Sequence, residues 1–442
     1  MAEKFLQQME THPQPPGRFG LCFFHYFSAW DAMLRDDKLR AYQQQKMALR
    51  MAIEVGCPFW EVLCRLASAQ VLYACKEEAR AGVQLRQVRE LVHKKLVRNR
   101  LIEFTTLFGY AQIAIEHGRL RSGLRALGYA LALGRRSGYL HVLWWRPEAV
   151  SRLLVRALQA NIEVDYVRGL IKTRGLIPDA SSLGTSGWPW AYQVFTLGQF
   201  KVLKDQKALE VGSKAQRRPL ELLKVLIAYG GHEVAEDRVT DALWPRIDGD
   251  SAHHSFTTTL HRLRKLLGQD KALVLREGKL SLDRRYWWVD IWAFEHAAEE
   301  LRSGPKGLHD SFVPEQVTAF TERIFSVYRG GFMAGETDEP SYFATRDRVR
   351  NKFVRTVSEI GRFWEQSGNW EAASACYERS LEADPAAEGL YRRLMICYQE
   401  HGRRAEAIEV YHRCSRALSA ALKIDPAAET NAVYEQLLKV PQ

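Results

Sequence analysis

Between about residue 20 and residue 175, apolar residues recur every three or four positions. They do so in Lys38–Val55, Phe59–Ala74, Leu85–Val97, Leu101–Glu116, Leu120–Arg136 and Pro147–Leu158. Gly56-Cys57-Pro58, Gly82, Asn99, His117-Gly118 and Ser137-Gly138 interrupt the pattern, and no two-residue alternation intervenes. Helices joined by short Gly-marked turns predict an α-solenoid, in which each antiparallel pair buries its stripe against the next. Residues 178–190, PDASSLGTSGWPW, have no period and are rich in Ser, Gly and Pro, which predicts a linker.

Past the linker the period changes to two. Tyr192–Leu197 and Gln199–Leu203 read as short strands around the turn Lys204–Lys207. A helix follows from about Arg218 to Tyr229, with Pro219 in its first turn and Gly230-Gly231 closing it. A second runs from about Glu236 to Leu243 and stops at Trp244-Pro245. Ser251 opens a third, which ends before Gly268, and a hairpin flanks Glu277-Gly278, with strands Leu273–Arg276 and Lys279–Leu282. A small antiparallel sheet, three helices and a C-terminal hairpin are the order of a winged helix. At 100° per residue, Phe256, Leu260, Leu263 and Leu267 share one side of the third helix. Ser251, His254, Thr258, His261, Arg262 and Lys265 face the other way. From Val289 onward the helical period returns. Gly368-Asn369-Trp370-Glu371-Ala372-Ala373 aligns with Gly402-Arg403-Arg404-Ala405-Glu406-Ala407 at an offset of 34, the tetratricopeptide period, and small Ala373 and Ala407 permit close helix pairs. The expected class is therefore mainly α, with helical-repeat solenoids at both ends of a small α+β winged-helix domain.

The middle and last segments resemble a known family. RRPLELLKVLIAYGGHEVAEDRVTDALWP, then LHRLRKLLG, then GKLSL look like the OmpR/PhoB-type DNA-binding domain, in the version found in SARP-type transcriptional activators. The Asp290–Glu295 entry and the repeats after it resemble the bacterial transcriptional activation domain of those regulators. The N-terminal helices, with Tyr110–Ala114 and His117-Gly118-Arg119, resemble the MalT-like sensor part of larger regulators. The expected domains are thus 1–177, a sensor or interaction solenoid; 178–190, linker; 191–288, winged helix; and 289–442, activation domain. The chain would be either a shortened relative or the tail of a longer nucleotide-switch regulator. The hairpin departs from the family, with Gly278-Lys279-Leu280-Ser281-Leu282 where Gly-Tyr-Arg-Leu is usual.

The resemblance implies double-stranded DNA as partner, with contacts from His254, Ser255, Thr259, His261, Arg262 and Arg264. The helical wheel agrees on His254, His261 and Arg262, but selects Thr258 where the family pattern selects Thr259, and adds Lys265. Arg can read guanine bidentately, Ser and Thr can approach either base partner, and Lys suits phosphate. In the wing, Lys279 best fits a phosphate or minor-groove contact, beside Arg276, Arg284 and Arg285. Lys214, Arg217 and Arg218 head the first helix, where phosphate is also favoured. His254 and His261 stand where the family commonly has Arg, which weakens the electrostatic attraction at pH 7.

Charge refines this picture only in part. The chain of 442 residues carries a net +11, with 27 basic against 16 acidic residues in 1–187, 17 against 13 in 188–290 and 19 against 23 in 291–442. The winged-helix segment is only mildly basic, so the arrangement of its cations matters more than their number. No apolar run is long enough to span a membrane and the first residues are polar, so a cytoplasmic protein without membrane association is expected. The seven cysteines form no CxxC pair, and His254 and His261 lack a carboxylate or Cys on their face, so neither a metal nor another cofactor is expected. No phosphate loop, His-Glu-x-x-His or Gly-x-Ser-x-Gly occurs, so catalysis has no residue constellation behind it. The reading is a transcriptional regulator, an activator by its family. Its flanking repeats would take a signal and supply a homodimer contact, an RNA polymerase contact or another protein partner. The rival is an interaction scaffold that has kept the winged fold without binding DNA.

Overall fold

The computed structural model describes residues 17–95, 99–144, 146–178, 187–209, 214–302, 313–336 and 340–439, without the side chains of 93–95 and 214–216. Residues 179–186 of the expected linker, Trp145 and the Lys214 side chain lie outside the described residues. The chain divides into two units, residues 1–189 and 190–442.

The first unit consists of helices α1 (Arg18–Leu34), α2 (Lys38–Val55), α3 (Pro58–Ala74), α4 (Glu78–Lys95), α5 (Arg100–Glu116), α6 (Leu120–Ser137), α7 (Pro147–Gln159) and α8 (Val164–Arg174). Local chemistry sets their ends. Asp37 accepts from the Arg40 amide at 3.0 Å and Asn99 from the Ile102 amide at 3.1 Å, while Gly56 and Gly138 close α2 and α6 in the left-handed conformation. Ala41, Ala48 and Ala52 on α2 are fully buried, which lets α2 lie close to Cys22 and Tyr26 of α1 and Val62 and Leu66 of α3. The break expected at Gly82 is absent, and α4 runs through it. Buried Ala81 and Val88 continue the stripe across the glycine, and one helical Gly costs only about 1 kcal/mol relative to Ala.

The second unit opens with β1 (Tyr192–Phe195), β2 (Lys201–Lys204) and β3 (Lys207–Ala208). Then come α9 (Lys214–Ala228), β4 (Val234–Ala235), α10 (Glu236–Leu243) and α11 (Gly249–Leu267). The hairpin is β5 (Leu273–Arg276) and β6 (Lys279–Leu282), followed by β7 (Trp287–Val289). The first sheet is not wholly antiparallel as expected. Its order is β3-β2-β1-β7, and β7 pairs parallel to β1, with Tyr192 opposite Trp287 and Val194 opposite Val289. Tyr192 and Trp287 stack with ring centroids 4.5 Å apart, and this aromatic pair holds β7 against β1. The wing gains a third strand, because β4 pairs antiparallel to β6. Two helices begin earlier than the periodicity suggested. α9 starts at Lys214, which leaves Pro219 inside it, and α11 starts at Gly249 because Asp248 caps it by accepting from the Ser251 amide at 3.1 Å.

The remaining helices are α12 (Asp290–Arg302), α13 (Pro314–Val327), α14 (Pro340–Gln366), α15 (Trp370–Ala383), α16 (Glu388–Glu400), α17 (Arg404–Leu422) and α18 (Ala428–Lys439). The repeat register is visible in the turns, where Gly368 and Gly402 have φ of 72° and 73°, and in the fully buried Ala373 and Ala407. The tightest approach is at Gly361 in α14, where a Cβ would stand 2.2 Å from the Tyr377 ring.

The winged helix and these helices share one seam. Asp290, the first residue of α12, is 1% exposed and accepts from the Thr196 amide at 2.7 Å, the Thr196 hydroxyl at 2.6 Å and the Leu197 amide at 2.8 Å. The backbone of 196–198 also bonds to 331–334, through Met333 to Thr196 at 2.7 Å and Ala334 to Gly198 at 2.9 Å. On α14, the Thr345 hydroxyl donates to the Ala228 carbonyl at the end of α9 at 2.8 Å. No described helix is long and apolar enough to cross a membrane.

Candidate nucleic-acid interface

The sequence of α11 divides its two faces. Ala252, Phe256, Leu260, Leu263 and Leu267 are buried, and the helix packs on α9, whose Leu222, Leu223 and Leu226 are fully buried. Burial of each large side chain is worth about 1.5–3 kcal/mol, so the stripe fixes the rotation of the helix. Both ends are tied as well. Asp248 caps the start, and Gly268, in the left-handed conformation at φ 72°, closes the end. The Tyr192 hydroxyl donates to the Leu267 carbonyl at 2.7 Å, and the Trp287 indole donates to the Ala272 carbonyl at 2.8 Å. Thus the aromatic stack between β1 and β7 anchors the carbonyl end of α11 and the chain beyond it.

With its rotation fixed, α11 turns His254, His261, Arg262 and Lys265 outward, all exposed, with Ser255 and Thr258 half-buried at their margins. Among the described residues none of these four makes an ion pair. Two of the expected contact residues do not lie on this face. Thr259 is 6% exposed and packs into the core, whereas Thr258 lies at the margin of the outward face. Arg264 folds back and donates to the Leu273 carbonyl at 3.0 Å, which attaches the first wing strand to the helix. Its guanidinium thereby holds the wing instead of standing free.

The wing turns on Glu277 (φ 49°) and Gly278 (φ 70°), a pair that matches a type I′ hairpin and fits the right-handed strand twist. Leu280 and Leu282 are buried beneath it, while Arg276 and Lys279 are exposed, without an ion pair among the described residues. The Glu236 amide donates to the Gly278 carbonyl at 2.8 Å, so the wing tip is bonded to the start of α10. Other expected cations are engaged. Arg285 pairs with Asp283, Arg284 lies 5.7 Å over the Trp292 ring, and Arg217 and Arg218 share Glu221 at 3.0 and 2.5 Å. Sequence reasoning passed over two neighbours. His253 pairs through Nδ1 with Glu236, and Arg246, in the loop before α11, is exposed and makes no ion pair among the described residues. The position of Arg246 between the second and third helices was the available signal. The described residues hold no cluster of three or more metal-ligating side chains.

The later part of the chain is similar to known proteins. Residues 289–438 match the family described as Bacterial transcriptional activator domain. Regulatory protein AfsR of Streptomyces griseus is 26% identical over 255 residues, 57% of this chain and 25% of that protein. Transcriptional regulatory protein MoaR1 of Mycobacterium tuberculosis is 25% identical over 267 residues, 56% of this chain and 80% of that protein. Among solved structures, Mycobacterium tuberculosis EmbR in complex with a low affinity phosphopeptide is 21% identical over 57% of this chain and 66% of that one, with a TM-score of 0.42. The matched part therefore spans only a quarter of the length of AfsR. Residues 289–438 are thus similar to an activator domain, and the chain is similar over 56–57% of its length to regulators of the SARP type.

Proposed function

We propose that the chain is a sequence-specific transcriptional regulator, an activator by its family, that places α11 in the major groove of double-stranded DNA. The observation that supports this most is the outward face of α11. A helix locked in rotation by its buried stripe and tied at both ends presents cations that form no ion pair among the described residues. A major groove admits one α-helix, and its base edges are read by such side chains. Arg262 is the principal base reader, with His254, Ser255, Thr258 and His261 beside it. Lys265 and, from the wing, Lys279 meet phosphates, and Arg246 adds a cation at the head of the helix. Residues 191–288 form the DNA-binding domain. The repeats of 289–442 supply self-association or a contact to RNA polymerase, and 1–177 receives the signal, in the cytoplasm.

Electrophoretic shift with genomic fragments at two salt concentrations tests this reading. A specific complex whose affinity falls steeply with salt is expected. Arg262→Ala should reduce discrimination between operator and random DNA by about 1–3 kcal/mol, and Lys279→Ala should weaken both DNAs alike. Equal affinity of wild type and Arg262→Ala for both DNAs refutes the assignment of Arg262. Absence of any complex at low salt would support the scaffold reading, to which the histidines at 254 and 261 lend some weight.

A further inference from the structure

A second cationic surface lies in the first unit, apart from the winged helix. Helices α4, α5 and α6 enclose an open groove of about 570 Å³. Arg86 and Arg89 line it from α4, Arg119 from the turn before α6, and Arg125 from α6. All four are exposed, and none makes an ion pair among the described residues. Glu103 is the one acidic residue in the lining. Elsewhere in the same unit, arginines do find carboxylates: Arg65 has Glu61 at 2.8 Å, Arg135 has Glu163 at 2.7 Å and Arg152 has Glu116 at 3.3 Å. The groove therefore gathers guanidinium groups that the fold leaves uncompensated, which mutual repulsion disfavours unless an anion enters.

The rest of the lining narrows the ligand. Leu85 and Leu107 give the groove an apolar floor, and Tyr110 and Tyr129, 38% and 64% exposed, give its edge two aromatic faces. The volume falls within the roughly 300–1,000 Å³ usual for small-molecule sites. Planar guanidinium forks match phosphate oxygens bidentately, and exposed aromatic rings stack on flat heterocycles. We propose that this groove binds a small phosphate-bearing anion with a flat ring, of the nucleoside polyphosphate class. Its occupancy would order α4, α5 and α6 against one another, a change the solenoid can pass on as a signal.

Isothermal titration of the full chain, without DNA, tests this with four probes: ATP, GTP, inorganic pyrophosphate and a hexaglutamate peptide. At least one nucleotide should bind saturably, about tenfold or more tighter than pyrophosphate or the peptide. The pair Arg86→Ala with Arg125→Ala should weaken it by about tenfold or more, since each charge-assisted hydrogen bond contributes on that scale. Tyr129→Ala should weaken the nucleotide and leave pyrophosphate unchanged. All three side chains are exposed, so far-UV circular dichroism should match wild type. Absence of saturable binding overturns the proposal. So does tightest binding of the peptide, or nucleotide binding that survives the double substitution. The outcome is independent of whether α11 binds DNA.

Discussion

Arginine plays opposite parts in the two halves of the second unit. In the repeats, Arg350 donates to Asp384 at 2.6 Å, Arg393 to Glu365 at 3.0 Å, and Arg413 forks onto Glu378 at 2.9 and 2.8 Å. Each pair joins two helices: α14 to the end of α15, α16 to α14, and α17 to α15. On α11, Arg262 and Lys265 make no ion pair among the described residues. A cation facing an acid across a helix pair is part of the scaffold, whereas one left bare on a rigid helix is available to a ligand. Arg264 shows that the division is not by helix, since it serves the wing from the same element that presents Arg262.

Four substitutions put this contrast at risk. The largest effect is expected at Glu365, whose side chain is 7% exposed and accepts from Arg393 and from the Tyr377 hydroxyl at 2.8 Å. Glu365→Ala leaves a half-buried guanidinium and a buried hydroxyl without their acceptor, which should cost about 3–5 kcal/mol in denaturant unfolding. A loss below about 1 kcal/mol would mean that the pair is ornamental.

Asp290 comes next and reads through pH. Burial pushes its carboxyl from the ordinary 3.8 up to about 6, against hydrogen bonds from Thr196, Leu197 and Ile291 that pull it down. A folded value above the unfolded one adds stability in full below about pH 4, and that stability is lost as pH rises through about 6. From pH 4 to pH 7 wild type should therefore lose about 2 kcal/mol relative to Asp290→Asn, which cannot titrate. Parallel stability profiles for the two proteins would contradict this.

At Gly361 the expected cost is about 1–3 kcal/mol, because Gly361→Ala drives a methyl into the Tyr377 ring that also serves Glu365. An unchanged melting temperature would show that Tyr377 yields freely. The smallest effect is the most telling. Arg262→Ala should shift stability by less than about 0.5 kcal/mol, as for an exposed side chain with no ion pair among the described residues, while changing DNA discrimination as stated above. A substantial loss of stability would move Arg262 to the scaffold side of the contrast.

Much of this was legible along the chain. The stripe Phe256–Leu260–Leu263–Leu267 and the 34-residue register of Gly368 and Gly402 follow from periodicity, which local geometry enforces. What was illegible depended on distant partners. Thr259 sits on the flank of the wheel, and only packing on α9 decides that it is buried. Arg264 owes its part to a carbonyl beyond the Gly268 turn. Trp287-Trp288-Val289 is too short to show alternation, and its pairing strand lies 95 residues earlier, at Tyr192. Likewise Arg86, Arg89, Arg119 and Arg125 resemble any solvated arginines until the fold brings them to one groove.

The Asp290 seam bears on how such a protein can be recombined. A winged helix severed after Trp288 would lose the carboxylate that holds the Thr196 and Leu197 amides, and the backbone of 331–334 that closes the same edge. Chimeras that exchange the winged helix between relatives should therefore transplant residues 190–439 whole. The boundary near 288, obvious in a sequence comparison, is a poor place to cut.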